Sequence, residues 1–144
     1  MSNIFVDANV ILDLFEENRP YHQYSFELMN KYIIDDSITL YISSDMISNI
    51  FYILNSRYKY GFQNTVNIIE KISQTYTIHS VTKLDIENSI NICKDNTFKD
   101  YEDALQYICA VGEDCKTIIT NNPKDFKNST IEILTSKQAV KNDI

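Results

Sequence analysis

Glycine is almost missing from this chain: among its 144 residues only Gly61 and Gly112 are glycine. Without clustered glycines the backbone cannot approach phosphates closely, which excludes a phosphate loop and a dinucleotide fingerprint. Histidine is equally scarce. His22 and His79 are far apart, and neither has a second His or Cys at ligand spacing, which argues against a zinc site. A serine triad would have to use one of those two histidines, and the glycines of a nucleophile elbow are lacking. His22 is expected in solvent and His79 near a strand end. Cys93, Cys109 and Cys115 are odd in number and lack C-x-x-C spacing, which points to reduced, structural thiols. Cys109 falls within an apolar helix pattern, where a buried thiol acts as a small hydrophobe. No apolar run approaches membrane-spanning length. The N-terminus lacks the basic and apolar regions of a signal peptide, so a cytoplasmic location is expected.

Carboxylate, by contrast, is abundant. Twenty Asp and Glu stand against 13 Lys and Arg, for a net charge of −7. Such a balance does not favour general nucleic-acid binding. It is compatible with a site that gathers hard divalent cations through oxygen ligands. The hydrophobic fraction of 44% argues against disorder, and the length suits one domain over residues 1–144 with an ordinary core.

Hydrophobic periodicity alternates between strand and helix. Ile4-Phe5-Val6 is a short apolar run ended by Asp7, and Asn9 to Glu17 follows at helical spacing until Asn18-Arg19-Pro20. Tyr21–Ile34 is an amphipathic helix and Ile38–Ile42 a strand. A helix to Tyr58 follows Ser43-Ser44-Asp45, and Phe62–Ile72 is another, joined through Gly61. Tyr76–Val81 alternates as a strand, and Thr82 with Asp85 forms a capping box for a helix to Lys94. Lys99 to Asp103 is acidic and leads into the apolar helix Ala104–Val111. Lys116–Thr120 is a strand, Asn121–Phe126 a polar turn, and Ile131–Leu134 a last strand before a short helix capped by Thr135. Strands alternating with helices predict a three-layer α/β/α sandwich around a parallel sheet of about five strands.

In such a sheet the carboxyl ends of the strands share one edge, where ligands bind. Three junctions there carry polar chemistry: Asp7, the pair Asp100 and Asp103, and Asn122 with Asp125. Taken alone, Asp7 or Asn9 reads as a helix cap, and Asp100 and Asp103 as stabilisers of a helix dipole. Together they read as a site. Asp100 and Asp103 are three apart, so both can face one side. Several carboxylates in one crevice repel unless a cation lies between them. Mg²⁺ and Mn²⁺ take oxygen ligands and suit phosphoryl chemistry, with water activated by the metal attacking a phosphodiester. On this reading Asp7 is the central ligand and Asn9 the cap.

These residues also resemble a known family. Phe5-Val6-Asp7-Ala8-Asn9-Val10-Ile11-Leu12-Asp13 looks like the opening of PIN-domain proteins, the fold of VapC-type toxins. Asp103-Ala104-Leu105 resembles the family's second Asp motif, and Thr120-Asn121-Asn122-Pro123-Lys124-Asp125-Phe126 its "T-x-D/N…D-F" strand end. Residues Ile131 to Ala139 fit its terminal strand and helix, so the resemblance runs nearly end to end. It implies a Mg²⁺- or Mn²⁺-dependent ribonuclease of a toxin–antitoxin pair, usually a homodimer, acting on RNA and neutralised by a small antitoxin. Asp7, Asp100 and Asp103 are then the metal ligands, with Asn49, Asn122 and Asp125 as secondary catalytic partners. Two positions depart from the pattern. Asn49 replaces a common glutamate, with Asp45 one turn earlier, and Asn122 replaces a fourth aspartate.

For substrate contact, Arg19, Arg57 and Lys59 are the candidates, Arg57-Tyr58-Lys59-Tyr60 interleaving cations with aromatics; the alternative is a solvated helix end. The Thr120 hydroxyl is placed to orient a ligand or water. The two asparagines motivate a second reading, a catalytically weakened module that binds RNA or protein. A haloacid-dehalogenase-type phosphatase also begins with an aspartate after a strand, but it needs a second acid where Asn9 stands.

Overall fold

The computed structural model describes residues 1–142. Five strands, β1 (Ser2–Val6), β2 (Ile38–Ser43), β3 (Thr77–His79), β4 (Thr117–Ile119) and β5 (Glu132–Leu134), form one sheet in the order β3-β2-β1-β4-β5. Every neighbouring pair is parallel. The connections carry α1 (Ala8–Asp13), α2 (His22–Ile33), α3 (Ser44–Tyr52), α4 (Phe62–Thr75), α5 (Lys83–Lys94), α6 (Tyr101–Gly112) and, after β5, α7 (Ser136–Lys141). Successive side chains of a strand point to opposite faces. Ile4, Phe5 and Val6 are nevertheless all fully buried, as are Ile118 and Ile119. Helices therefore cover both faces, and the expected three-layer sandwich of five parallel strands is what forms. None of the described helices is long and apolar enough to cross a membrane.

Most boundaries lie within a turn of those read from periodicity, and the exceptions have physical causes. Helix α1 stops at Asp13 rather than Glu17. The His22 ring nitrogen Nδ1 lies 2.6 Å from the Asp13 carbonyl, and Arg19 closes back onto the Asp13 carboxylate. His22 is thus a half-buried contact at the end of α1 rather than a solvated side chain. Helix α3 gives way at Ile53 to a π-helical turn, Ile53–Arg57, with the Tyr58 N–H donating to the Ile53 carbonyl at 3.1 Å. Strand β3 is only three residues because Tyr76 ends α4, while the Val81 N–H donates to Ser44 Oγ outside the ladder. The Thr82–Asp85 capping box forms as expected. The three thiols are unpaired, with Cys109 and Cys115 buried.

One polar network fixes the end of β4 to three helices. Asp13 is buried, and its carboxylate accepts from Arg19, from Ser25 Oγ at 2.8 Å and from Asn121 Nδ2 at 2.6 Å. The same Asn121 amide accepts from the N–H and hydroxyl of Ser136, each at 3.0 Å. Its backbone N–H donates to Asn9 Oδ1 at 3.2 Å. Asn121 therefore ties β4 to α1, α2 and α7. Hydrogen bonds to charged groups contribute about 1.5–3 kcal/mol, so Asn121→Ala is expected to lower stability by about 2–3 kcal/mol in urea unfolding. A loss below about 0.5 kcal/mol, ordinary for a surface substitution, would mean that the network does not carry this junction.

Candidate functional site

The strand order reverses between β1 and β4, the topological switch point where open α/β sheets bind ligands. Asp7 is the first residue beyond β1 and lies at that point. Its N–H still belongs to the ladder, donating to the Ile119 carbonyl at 3.0 Å. Its carboxylate is buried, only 7% of the residue being exposed, and Oδ2 accepts from the Thr120 hydroxyl at 2.8 Å and Asn9 Nδ2 at 3.1 Å. Asp7 occupies the N-cap position of α1 without a side-chain capping bond. Asn9 is inside the helix and holds Asp7 and Asn121, so the expected cap is instead a brace. Burial raises the Asp7 pKa above the ordinary carboxylate value, while Thr120 and Gln106 act in the opposite direction.

The first turn of α6 brings the second group. Asp100 is the N-cap and accepts from the Asp103 N–H at 3.1 Å, so the capping role and a place among the acids coincide in one residue. Asp103 is half-buried, and its carboxyl is pushed up to about 7 by burial and then by Asp100, Asp125, Asp7 and Glu102. Asp125 arrives from the 3₁₀ turn Pro123–Phe126 that follows β4. Among the described residues no Lys, Arg or His forms an ion pair with Asp7, Asp100, Asp103 or Asp125. Gln106, one turn after Asp103, is buried beside Asp7, and its Oε1 has no hydrogen-bond partner. A buried acceptor left unsatisfied costs about 1–3 kcal/mol. These are hard oxygen donors with surplus negative charge, and they fit a cation of the Mg²⁺ or Mn²⁺ class.

Two open clefts flank the acids. One, of about 310 Å³, is lined by Asp100, Asp103 and Asp125 together with Lys99, Lys124 and Lys127. The other, of about 370 Å³, is lined by Asp45, Asn49, Glu102 and Gln106. Asn49 therefore shares a cleft with Gln106 and with Asp45 one turn earlier, not with Asp100 and Asp125. Thr120 is fully buried with its proton given to Asp7, so what it orients is the carboxylate. Asn122 stays close through its backbone N–H, which donates to Thr120 Oγ1 at 3.1 Å, but its side chain lines neither cleft.

The expected substrate cations are placed elsewhere. Arg19 is held by the Asp13 carboxylate and donates to Tyr58 Oη at 3.0 Å, which commits it to the fold. Arg57 and Lys59 are exposed but line neither cleft, and Tyr58 and Tyr60 pack inward rather than offering a stacking surface. The cations beside the acids are Lys99, Lys124 and Lys127. Sequence reasoning missed these lysines and also Gln106. A signal for Gln106 was present, a polar amide inside the apolar run Ala104–Val111.

Comparison with known proteins agrees with this geometry. Residues 3–124 match the PIN domain family. The chain is 35% identical over 136 residues to ribonuclease VapC1 of Aquifex aeolicus (strain VF5), covering 94% of this chain and 91% of that one. Among solved structures it resembles DNA-bound VapBC from Salmonella typhimurium, with a TM-score of 0.70 and 16% identity, covering 94% and 99% of the two chains. It also resembles a toxin–antitoxin complex from Klebsiella pneumoniae, with a TM-score of 0.67 and 17% identity, covering 92% and 97%. With the acids gathered at its sheet switch point and this similarity along nearly its whole length, the chain belongs to the PIN domain family.

Proposed function

We propose that this chain is a metal-dependent endoribonuclease, the toxin of a toxin–antitoxin pair. The observation that carries the reading is the crowding of Asp103 by Asp7, Asp100 and Asp125, none of which forms an ion pair among the described residues, in a chain similar to a VapC ribonuclease. Asp7, Asp100 and Asp103 would hold Mg²⁺ or Mn²⁺. When bound, such a cation supplies charge neutralisation at the phosphodiester and a more acidic water.

The chain's own residues do the rest. Thr120 and Asn9 fix the Asp7 carboxylate, so its position requires no reorganisation when substrate arrives. Asp125 lines the cleft with Asp100 and Asp103 and is the acceptor there able to hold a water proton, whereas the Gln106 carbonyl is buried without a partner among the described residues. Asn49 lines the neighbouring cleft beside Gln106, where a carboxylate would add charge, and Asn122 acts through its backbone N–H on Thr120 rather than through its side chain. Lys124 and Lys127 line the cleft with the acids and suit the flanking phosphates of an RNA strand. As a toxin the chain would act in the cytoplasm as a homodimer, and its antitoxin would silence it.

Purified chain freed of any partner is expected to cleave RNA only with divalent metal. Asp7→Asn and Asp103→Asn should each lower kcat by about 10²–10³, the scale seen when one electrostatic group is removed. Cleavage by either variant at the parent rate would overturn the assignment; no cleavage and no Mn²⁺ heat by calorimetry would favour the binding-module reading. Lys124→Ala with Lys127→Ala should instead weaken RNA binding and reduce the slope of log affinity against log salt by about 1 per lysine, with kcat nearly retained. An unchanged slope would remove both from the substrate path.

Asp103 also links function to stability. Its folded pKa of about 7 lies above the unfolded value of 3.8. Stability from this group is therefore fully present below pH 3.8 and lost as pH rises through about 7. In metal-free protein above pH 7, Asp103→Asn should raise stability, by about 1–2 kcal/mol once solvent screening of a half-exposed group is allowed for. Urea unfolding across this pH range checks the sign. A destabilised variant would show that the crowding is already relieved.

A further inference from the structure

The fold assembles a second group of donors that linear spacing hides. His79 ends β3, Asp85 lies in the first turn of α5, and Cys109 is on α6. One ligand atom from each lies within 4.8 Å of the other two. The His79 ring is held on both nitrogens, Nδ1 at 2.7 Å from Glu113 Oε1 and Nε2 at 2.8 Å from Asp85 Oδ2. Cys109 is fully buried, whereas His79, Asp85 and Glu113 are partly open to solvent, which leaves an entry path.

We propose that His79, Asp85 and Cys109 form a zinc-class metal site, separate from the acidic centre, with Glu113 orienting the imidazole. The donor set is the first reason. Imidazole nitrogen, carboxylate oxygen and thiolate sulfur together suit Zn²⁺ or Co²⁺, whereas the switch-point acids offer only hard oxygens. The second is Glu113. Metal-bound histidines commonly give their other ring nitrogen to a carboxylate, which sets the tautomer and the ring orientation. Here that carboxylate is in place on Nδ1, leaving Nε2 to face Asp85.

The third reason is size. A tetrahedral ion with ligands at about 2.0–2.3 Å holds its donors roughly 3.3–3.8 Å apart. His79 Nε2 and Asp85 Oδ2, now 2.8 Å apart, would part by about 0.5 Å to admit the ion, and Cys109, within 4.8 Å of the other donors, would approach by up to about 1 Å, both within reach of side-chain rotation. The ion would displace a proton from His79 Nε2 and one from Cys109 Sγ, leaving a fourth position for water. Asp103 and Cys109 are six residues apart on α6, about 9 Å of helix rise, so the two centres do not share ligands. Bound metal would join β3, α5 and α6.

Cobalt titration of the full-length reduced chain in the Asp7→Asn background tests this, since that background weakens the acidic centre. A thiolate-to-cobalt charge-transfer band is expected, saturating at one ion per chain and abolished by Zn²⁺ competition. His79→Gln and Cys109→Ala should each lose the band, while Cys93→Ala and Cys115→Ala keep it. No such band, or a band that survives Cys109→Ala, overturns the proposal. Should Cys109→Ala fail to fold by circular dichroism, Glu113→Gln decides. It should weaken cobalt affinity by about 10–100-fold, and unchanged affinity overturns the proposal. Neither result depends on RNA cleavage.

Discussion

Asp7 buries a carboxylate where the sheet reverses direction, and the protein gives it a hydroxyl and two amides but no cation. A second aspartate, six residues on, shows what full satisfaction looks like. Asp13 is as buried as Asp7, yet it accepts from Arg19, Ser25 and Asn121. Burial therefore does not separate these two acids; partners do. A buried charge lacking a counter-charge is costly unless something outside the chain neutralises it. Asp13 is a structural acid paired with Arg19, whereas Asp7 has no ion pair among the described residues.

The two networks are coupled, which makes the site rigid. The Asn121 side chain belongs to the Asp13 group, and its backbone N–H donates to Asn9, which in turn holds Asp7. Thr120, the preceding residue, gives its hydroxyl directly to Asp7. The end of β4 thus positions the end of β1 through adjacent residues with different jobs. Helix α6 then adds Asp103 and Gln106 from a separate element, and repulsion among the acids becomes the stored cost of the centre. The same helix carries Cys109 and Glu113 toward His79, so one helix bears on two donor groups of different chemistry.

Much of this was legible in the residues. Alternating strand and helix patterns predict the parallel sheet, and its topology places Asp7, Asp100, Asp103 and Asp125 on one edge. The placements that were not legible depend on side-chain direction. Arg19 and Asn121 have a free cation and a free amide in sequence, and only the fold shows Asp13 claiming both. The Arg57–Tyr60 segment has the composition of a single-strand binder, yet its tyrosines turn inward because a π-helical turn redirects the chain. His79 and Cys109 are thirty residues apart along the chain. No spacing rule joins them; the fold sets the end of β3 beside α6, and α5 brings Asp85 to the same place.

The most direct measurement is the titration of the Asp103 side-chain carboxyl by NMR, with and without saturating Mg²⁺. Without the cation, the crowding of acids should hold this carboxyl near pKa 7. With it, the apparent pKa should fall below the ordinary carboxylate value of 3.8, because the neighbouring negative charge is neutralised. A pKa that stays near 7 in the presence of Mg²⁺ would contradict the account, since the acids at the switch point would then not be gathered around a cation.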